Sequence, residues 1–579
     1  MQIAKSEWDR NSWLATNVIL IVSALLIKQL NGNVGYANAD GCDSWYFFGL
    51  YQSYFHLRSV LADFYQFNRY PAILPWILVG SELSVTTLRE AKFWTYFLIS
   101  SGCFSYAAIT LSGPRIGALV SILLLGSTLF LGALSTDFVT GAGLAWQCAV
   151  IAATIRAAKS ERPAPWLFLA GTLYACCIYT HIPMAMFIFA TPLYLLLRVP
   201  RPAVADLGKS LALMAAGFFV ATLVFGLASL ALGGYFLFFK LELMTAFQYL
   251  ATKTYEQPIP EMNKWFAYDT NIPIFLLAGA ASLLTLVRLG YARALAAFPA
   301  LSIPALAYLA VAVLCFGFEF GGRMVLQENV FAPWMLPPAF LAIGSALSLS
   351  GSPNSALSNV LCLAAAFVLV WAAYRMDPRL DLWWRYALAA GAVLCLVLPL
   401  RGWSSATVTA CVLGLLAITY PRGYGYSPWF KASWDQRAFY EVLGRAHRFV
   451  TVHFGEPRPT PSGDTRPAFW VSGDIIDDLG DPLFASIATP RSFLECGEFA
   501  ASYPSPRVRR EKWNAYFHDL GAAVVARHIS PGRRLFIIAR GRDLVAAAAD
   551  AFRSVGLTAV PLDESEIAPG ISIAVAEIK

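Results

Sequence analysis

Two aspartates, Asp40 and Asp43, stand soon after the first apolar segment and open an aromatic stretch beginning Trp45-Tyr46-Phe47-Phe48. Carboxylates held just above a membrane surface suit a base that deprotonates an acceptor hydroxyl, or a metal site for a phosphate leaving group. The competing reading is a solvated turn that caps an interfacial helix. Asp137 follows Ser135-Thr136, His181 follows Tyr179-Thr180, and Arg323 lies in a later polar stretch. When the apolar spans are threaded through a bilayer, all five fall on the side opposite the N-terminus, together with Arg58, Arg69 and a polar C-terminal region. Such a distribution builds one reaction chamber on the outer face. It does not by itself name the reaction.

The chain must hold these groups in a membrane. Of its 579 residues, 58% are hydrophobic and 14% charged, with a mean hydropathy of +0.56. An ordinary soluble domain carries nearly twice that charged fraction, so a polytopic helical membrane protein is indicated. The net charge of +7 sits mostly in short loops such as Arg156–Arg162 and Arg198–Lys209, where it orients the protein. No stripe of Lys/Arg with interleaved aromatics marks a nucleic-acid partner. Most cysteines fall inside spans and none has metal-ligand spacing. Cys42 and Cys496 fall outside, where a disulfide and two unrelated thiols are both open readings.

Roughly thirteen spans are counted. The first, Trp13–Leu30, reads as an uncleaved anchor with a cytoplasmic N-terminus. A long outer loop, 31–88, leads to spans over 91–111 and 116–134. Asp137 then returns the chain to the outside, and the fourth span ends in the basic 156–162 loop. The fifth surfaces at His181 and the sixth re-enters at Arg198. The seventh, 210–232, opens a second long outer loop, 233–271, containing Lys240, Glu242, Lys253, Tyr255, Glu256, Glu261 and Trp265. Its length favours a cover over the cavity rather than a mere connection. The loop Arg375–Arg385 breaks the positive-inside rule if the count holds. From about 431 the composition becomes that of a soluble α/β domain of about 150 residues, with strands over 468–471, 534–539 and 571–578 and a helix over 543–555. Its acidic cluster, Asp474, Asp477, Asp478 and Asp481, reads as a solvated face.

Within the first loop, Trp45, Phe48, Tyr51 and Phe55 share one face at helical spacing, so 44–63 reads as an amphipathic helix in the interface plane. Arg69-Tyr70-Pro71 and Pro75 guide the chain back toward the second span. This pattern resembles the integral-membrane glycosyltransferases of the GT-C type. It is most similar to the bacterial branch related to protein O-mannosyltransferases and the lipid A aminoarabinose transferase, whose loop carries Asp-Glu-x-Tyr-Tyr. Asp43-Ser44-Trp45-Tyr46-Phe47 matches at the Asp and the first aromatic; Ser44 replaces the Glu, and Asp40 is the candidate second carboxylate. Ser135-Thr136-Asp137-Phe138 and the proline-rich Asn329–Pro338 resemble the outer starts of two further spans. The likeness covers about residues 1–430.

The resemblance implies transfer of a sugar, with inversion, from a polyprenyl-phosphate donor to an extracytoplasmic lipid, polysaccharide or protein at a bacterial inner membrane. Asp43, or Asp40, becomes the base, and Asp137 orients the acceptor or binds a metal. Arg69, Arg323 and Arg58 become ligands of the departing phosphate, since guanidinium pairs bidentately with its oxygens. Arg323 reads equally as an interfacial anchor. His181 and Tyr46 are assisting candidates, though a lone His at a span end also serves local hydrogen bonding. The resemblance fixes no cofactor and leaves metal dependence open, with a divalent cation, Mg or Mn, as the candidate. The rivals are a transporter or flippase of a lipid-linked glycan, a membrane ligase or acyltransferase, and a non-catalytic scaffold. Transporters commonly place ionisable groups near mid-bilayer, whereas here they gather at one end.

Overall fold

The structure is a computed structural model of the full chain. It describes residues 2–30, 65–80, 83, 85–126, 128–135, 139–197, 203–252, 328–349, 468–471, 534–540 and 558–579, with single positions at 47, 50, 51, 54, 58, 445, 448, 449, 452, 453, 553 and 556. Asp40, Cys42, Asp43, Tyr46, Asp137, Arg323 and Cys496 lie outside the described residues. So do the expected spans within 272–327 and 350–420, the 375–385 loop, the 253–271 part of the second outer loop, the 474–481 cluster and most of 543–555.

The described helices are α1 (Gln2–Leu30), α2 (Tyr70–Gly80), α3 (Val85–Ser112), α4 (Pro114–Gly126), α5 (Thr128–Ser135), α6 (Thr140–Lys159), α7 (Ala164–Thr180), α8 (Ala190–Leu197), α9 (Val204–Ala231), α10 (Lys240–Thr252) and α11 (Glu328–Leu349). Among them α6 and α9 are long and apolar enough to cross a bilayer by length and composition, and four shorter apolar helices accompany them. On α9, Phe219, Val220, Leu223, Val224, Leu227 and Leu230 are exposed. In water that continuous apolar face would be a liability; in a bilayer it is the surface that meets acyl chains.

Two sequence expectations are corrected here. The span after His181 begins as a 3-10 segment, Ile182–Phe189, before becoming α8; Tyr174 donates to the Phe187 carbonyl at 3.1 Å at this junction. The first outer loop also contains α2, an apolar helix of 11 residues. At about 1.5 Å per residue it is too short for a hydrocarbon core of about 30 Å.

By internal contacts the chain divides into two compact units. One comprises Met1–Ala37, Asn68–Leu74 and Arg89–Phe430; the other comprises Asn38–Phe67, Pro75–Leu88 and Lys431–Lys579. Glycines let helices of the first unit touch backbone to backbone. A Cβ at Gly171 of α7 would fall on the Met214 carbonyl of α9, and one at Gly217 of α9 on the Phe168 carbonyl of α7. Thr172 Oγ1 adds a bond of 3.2 Å to the Gly217 carbonyl. Small residues of this kind replace hydrophobic burial as the driving force for helix contact in lipid. Gly217→Val should therefore lower the thermal midpoint of the detergent-solubilised protein, the overpacking costing about 1–3 kcal/mol. An unchanged midpoint would show that this crossing is not close-packed.

In the second unit, Phe47, Leu50, Tyr51, Tyr54 and Arg58 are helical and buried. At about 100° per residue these positions fall on one side of a helix; of the expected Trp45/Phe48/Tyr51/Phe55 face, Tyr51 is buried and the other three lie outside the described residues. The Tyr51 carbonyl lies where a Cβ at Gly80 would sit, and the Tyr54 ring meets Phe67 edge-on at 5.6 Å.

The same unit holds a four-stranded sheet of β1 (Ala468–Val471), β2 (Arg534–Arg540), β3 (Ala559–Ala568) and β4 (Ile571–Ile578), in the order β1-β2-β4-β3. β1 and β2 are parallel, and the other two pairings are antiparallel. The sequence reading found β1, β2 and β4 but missed β3. Pro561, Asp563, Glu564 and Glu566 suit an edge strand, which they protect from pairing further. Gly570, at φ 73°, makes the tight turn that pairs β3 with β4.

Candidate anion site at Arg69

Arg69 sits between a 3-10 turn, Tyr65–Asn68, and α2. Its carbonyl starts the helix by accepting the Ala72 and Ile73 N–H groups at 2.9 and 3.1 Å. Tyr70 locks that start in place: its ring is fully buried, its hydroxyl bonds Ser229 Oγ of α9 at 3.0 Å, and it meets Phe238 edge-on at 5.3 Å. The Arg69 side chain is thereby carried inward, at a helix N-terminus where a positive charge is unfavourable. A guanidinium in that place needs an anion.

Glu242, in the first turn of α10, is that anion. Arg69 Nε lies 3.1 Å from Glu242 Oε1, and the two side chains are 5% and 7% exposed. The carboxylate also accepts a backbone hydrogen bond from Ile182, the first residue of the 3-10 segment. Burial pushes the Glu242 carboxyl up to about 7; the Arg69 charge, its hydrogen bond and the Ile182 N–H pull the other way but do not cancel it. His181 precedes Ile182 and is held well below its ordinary value, first by burial and then by the Arg69 charge. Its imidazole is therefore neutral at pH 7.

Linkage gives these shifts opposite signs. A carboxyl raised from 4.5 to about 7 contributes stability that is full below pH 4.5 and is lost as pH rises through 7. The depressed His181 contributes stability present above its ordinary 6.5 and lost as pH falls through its lower folded value. Glu242→Gln should remove only the first trend. The midpoint of the variant, relative to the parent, should rise between pH 4.5 and 7, the underlying scale being about 1.4 kcal/mol per pKa unit. A pH-independent difference would refute the placement of this carboxyl.

The other wall comes from α11. The His181 ring lies 5.3 Å from that of Trp334, whose Nε1 donates to the Thr140 carbonyl at 3.1 Å. The Trp334 carbonyl cannot be served within its own helix, because the residue four positions on is Pro338, which has no N–H. Gln147 Nε2 of α6 supplies the missing donor at 2.7 Å. Behind His181, Tyr179 anchors an aromatic cluster with Phe238 at 4.8 Å and Phe239 at 5.6 Å, its hydroxyl bonded to Thr222 at 2.8 Å.

Of the residues singled out from sequence, Arg69 and His181 are thus brought together. Arg58 belongs to the other unit, where it is buried, hydrogen-bonded to the Tyr54 hydroxyl and 5.6 Å from the Tyr54 ring centroid. Glu242 was not among the candidate site residues. The signal that points to it is a single carboxylate among Phe238, Phe239, Leu241, Leu243 and Met244, with Lys240 two positions before it; such a carboxylate must be paired if buried. Among the described residues no three His, Cys, Asp or Glu side chains converge to hold a metal.

No protein-family model matches the chain, and no curated protein matches it in sequence. Solved structures match in fold. ArnT from Cupriavidus metallidurans bound to undecaprenyl phosphate matches at a TM-score of 0.52 and 15% identity, over 96% of this chain and 97% of that one. The apo state of the same protein gives 0.52 and 15%, over 99% and 98%. The archaeal oligosaccharyltransferase AglB from Archaeoglobus fulgidus, in complex with an inhibitory peptide and a dolichol-phosphate, matches more weakly, at a TM-score of 0.40 and 12% identity over 93% of this chain and 70% of that one. The end-to-end likeness to ArnT gives this chain a GT-C type fold, that of a polytopic membrane protein.

Proposed function

We propose that this protein is a glycosyltransferase that takes a sugar from a polyprenyl-phosphate donor and passes it, with inversion, to an extracytoplasmic acceptor. The observation that carries this reading is the likeness of fold, over nearly the whole of both chains, to an ArnT structure holding undecaprenyl phosphate. The buried Arg69 supports it, because a departing phosphate needs a fixed cation in a place sheltered from water.

In this reading the acceptor hydroxyl attacks the anomeric carbon opposite the phosphate. Asp43 takes its proton, with Asp40 as the alternative, while the carbon–oxygen bond to the phosphate breaks. Asp137 orients the acceptor. Arg69, Arg323 and Arg58 receive the charge that develops on the phosphate, and His181 and Tyr46 assist. Asp137 is also the residue that would hold a divalent cation. The N-terminus is cytoplasmic, and the domain 431–579 shares the outer compartment with the loops at 31–88 and 233–271. The acceptor is an envelope lipid, a polysaccharide or a protein, and the sugar a hexose or pentose.

Deleting the gene and comparing envelope glycans by mass spectrometry tests the reaction. A missing sugar increment is expected and names donor and acceptor together; an unchanged glycan profile overturns the proposal. The sidedness has its own test. A cysteine at position 43, in a chain otherwise free of cysteine, should react with a membrane-impermeant thiol reagent added outside the cytoplasm. Labelling only after the membrane is opened would place this loop on the wrong face.

A further inference from the structure

We propose that the anion site formed by the Arg69 guanidinium and the Ile182 N–H is the seat of the donor lipid's phosphate, and that Glu242 fills it as an internal surrogate until the lipid displaces it. The inference rests on the functional reading above and names the place and the resident competitor.

The Glu242 carboxylate receives the Arg69 Nε–H at 3.1 Å and the Ile182 N–H together. Ile182 opens a 3-10 segment of eight residues, and the first N–H groups of a helical segment have no partner within it. A buried guanidinium facing such N–H groups is the chemistry that binds phosphate at helix N-termini. Here a carboxylate of the chain itself occupies it.

α10 is placed to meet a lipid. Glu242 faces inward, while Leu243, Met244 and Phe247 of the same helix, and Tyr235, Phe236 and Leu237 before it, are exposed. These follow directly on the exposed apolar face of α9. One helix thus presents an apolar surface to an isoprenoid chain and, on its other side, a carboxylate to the cation that the phosphate needs.

Displacement is also chemically accessible. Burial already favours the neutral acid of Glu242, so the side chain can leave Arg69 with a proton from solvent rather than as a stranded charge. The donor's phosphate, bonded to both carrier and sugar, keeps two free oxygens, as many as the carboxylate, and so can engage Arg69 and Ile182 in its place.

The test is binding of undecaprenyl phosphate to the full chain in detergent, followed by tryptophan fluorescence. Glu242→Gln, which removes the competing carboxylate, should bind the lipid about tenfold more tightly than the parent. The double variant Arg69→Gln/Glu242→Gln should bind it at least about tenfold more weakly. Unchanged or weaker binding by Glu242→Gln overturns the inference. If that variant does not fold, the lipid complex of the unaltered protein decides. The Arg69–Glu242 contact should be broken there and a phosphate oxygen should lie within hydrogen-bond distance of Ile182 N; an intact contact with lipid bound overturns this inference alone. Inorganic phosphate serves as the second probe, and binding as tight as that of the lipid would overturn the assignment to a lipid carrier. Failure of the unaltered chain to bind undecaprenyl phosphate overturns the functional reading and this inference with it.

Discussion

Asp43→Asn should leave a folded protein that binds donor but transfers sugar about 100- to 10,000-fold more slowly, the range a positioned general base contributes. An acceptor hydroxyl ionises far above neutral pH, so its attack on the anomeric carbon is slow unless a carboxylate removes the proton as the bond forms. Asparagine keeps the size and one acceptor oxygen of the side chain but cannot take that proton. The loss should appear in kcat, with KM for the polyprenyl-phosphate sugar little changed, since the base stands on the acceptor side of the sugar. Single-turnover transfer from a radiolabelled lipid-linked sugar measures it. Asp40→Asn is the control that separates the two carboxylates. If Asp40→Asn shows the loss and Asp43→Asn does not, the base is Asp40. If neither variant, nor the two combined, slows transfer, the first loop holds no base and the enzymatic reading of this chain fails, leaving the flippase and scaffold alternatives.

The second large effect concerns Arg69, and it has two parts that can be separated. Removing one member of a buried ion pair costs about 3–5 kcal/mol, because the other is left uncompensated. Arg69→Gln should therefore lower the thermal midpoint. The cost falls toward the lower end of that range, since Glu242 has its carboxyl pushed up to about 7 and can neutralise itself. Combining Arg69→Gln with Glu242→Gln removes both charges and should return most of the lost stability. Donor recognition should not return with it. A hydrogen bond to a charged group is worth about 1.5–3 kcal/mol, so both variants should raise KM for the donor by about 10- to 100-fold. Arg69→Lys should fall between the unaltered protein and these variants, because an ammonium keeps the charge but not the planar fork. A double variant that recovers stability and KM together would show that Arg69 is purely structural.

Much of the helical frame was open to reading from the residues. α1, α3, α6, α7, α9 and α11 lie where apolar runs of sufficient length were expected, because a span is recognised locally, from hydropathy over about twenty residues. β1, β2 and β4 followed from short runs of β-branched and aromatic residues for the same reason. The failures have local causes too. α2 is only 11 residues long, below the length at which an apolar run declares itself. α10 lies in a stretch read as an outer loop because charged residues interrupt it. β3 carries proline and acids that belong to an edge.

The two aspartates and the aromatic loop were legible because each is a property of residue type and order. What Arg69 faces was not. Its partner Glu242 lies 173 positions away, the Ile182 N–H that shares the carboxylate comes from a third segment, and Trp334 closes against His181 from a fourth. Helix packing across glycines, a proline that frees one carbonyl for Gln147, and a tyrosine pinned to Ser229 bring them together. The sequence determined which groups the protein owns and which stretches are apolar enough to carry them. Only the tertiary structure decided which charge neutralises which, since a buried ion has to find its counter-ion in space, wherever along the chain that counter-ion is encoded.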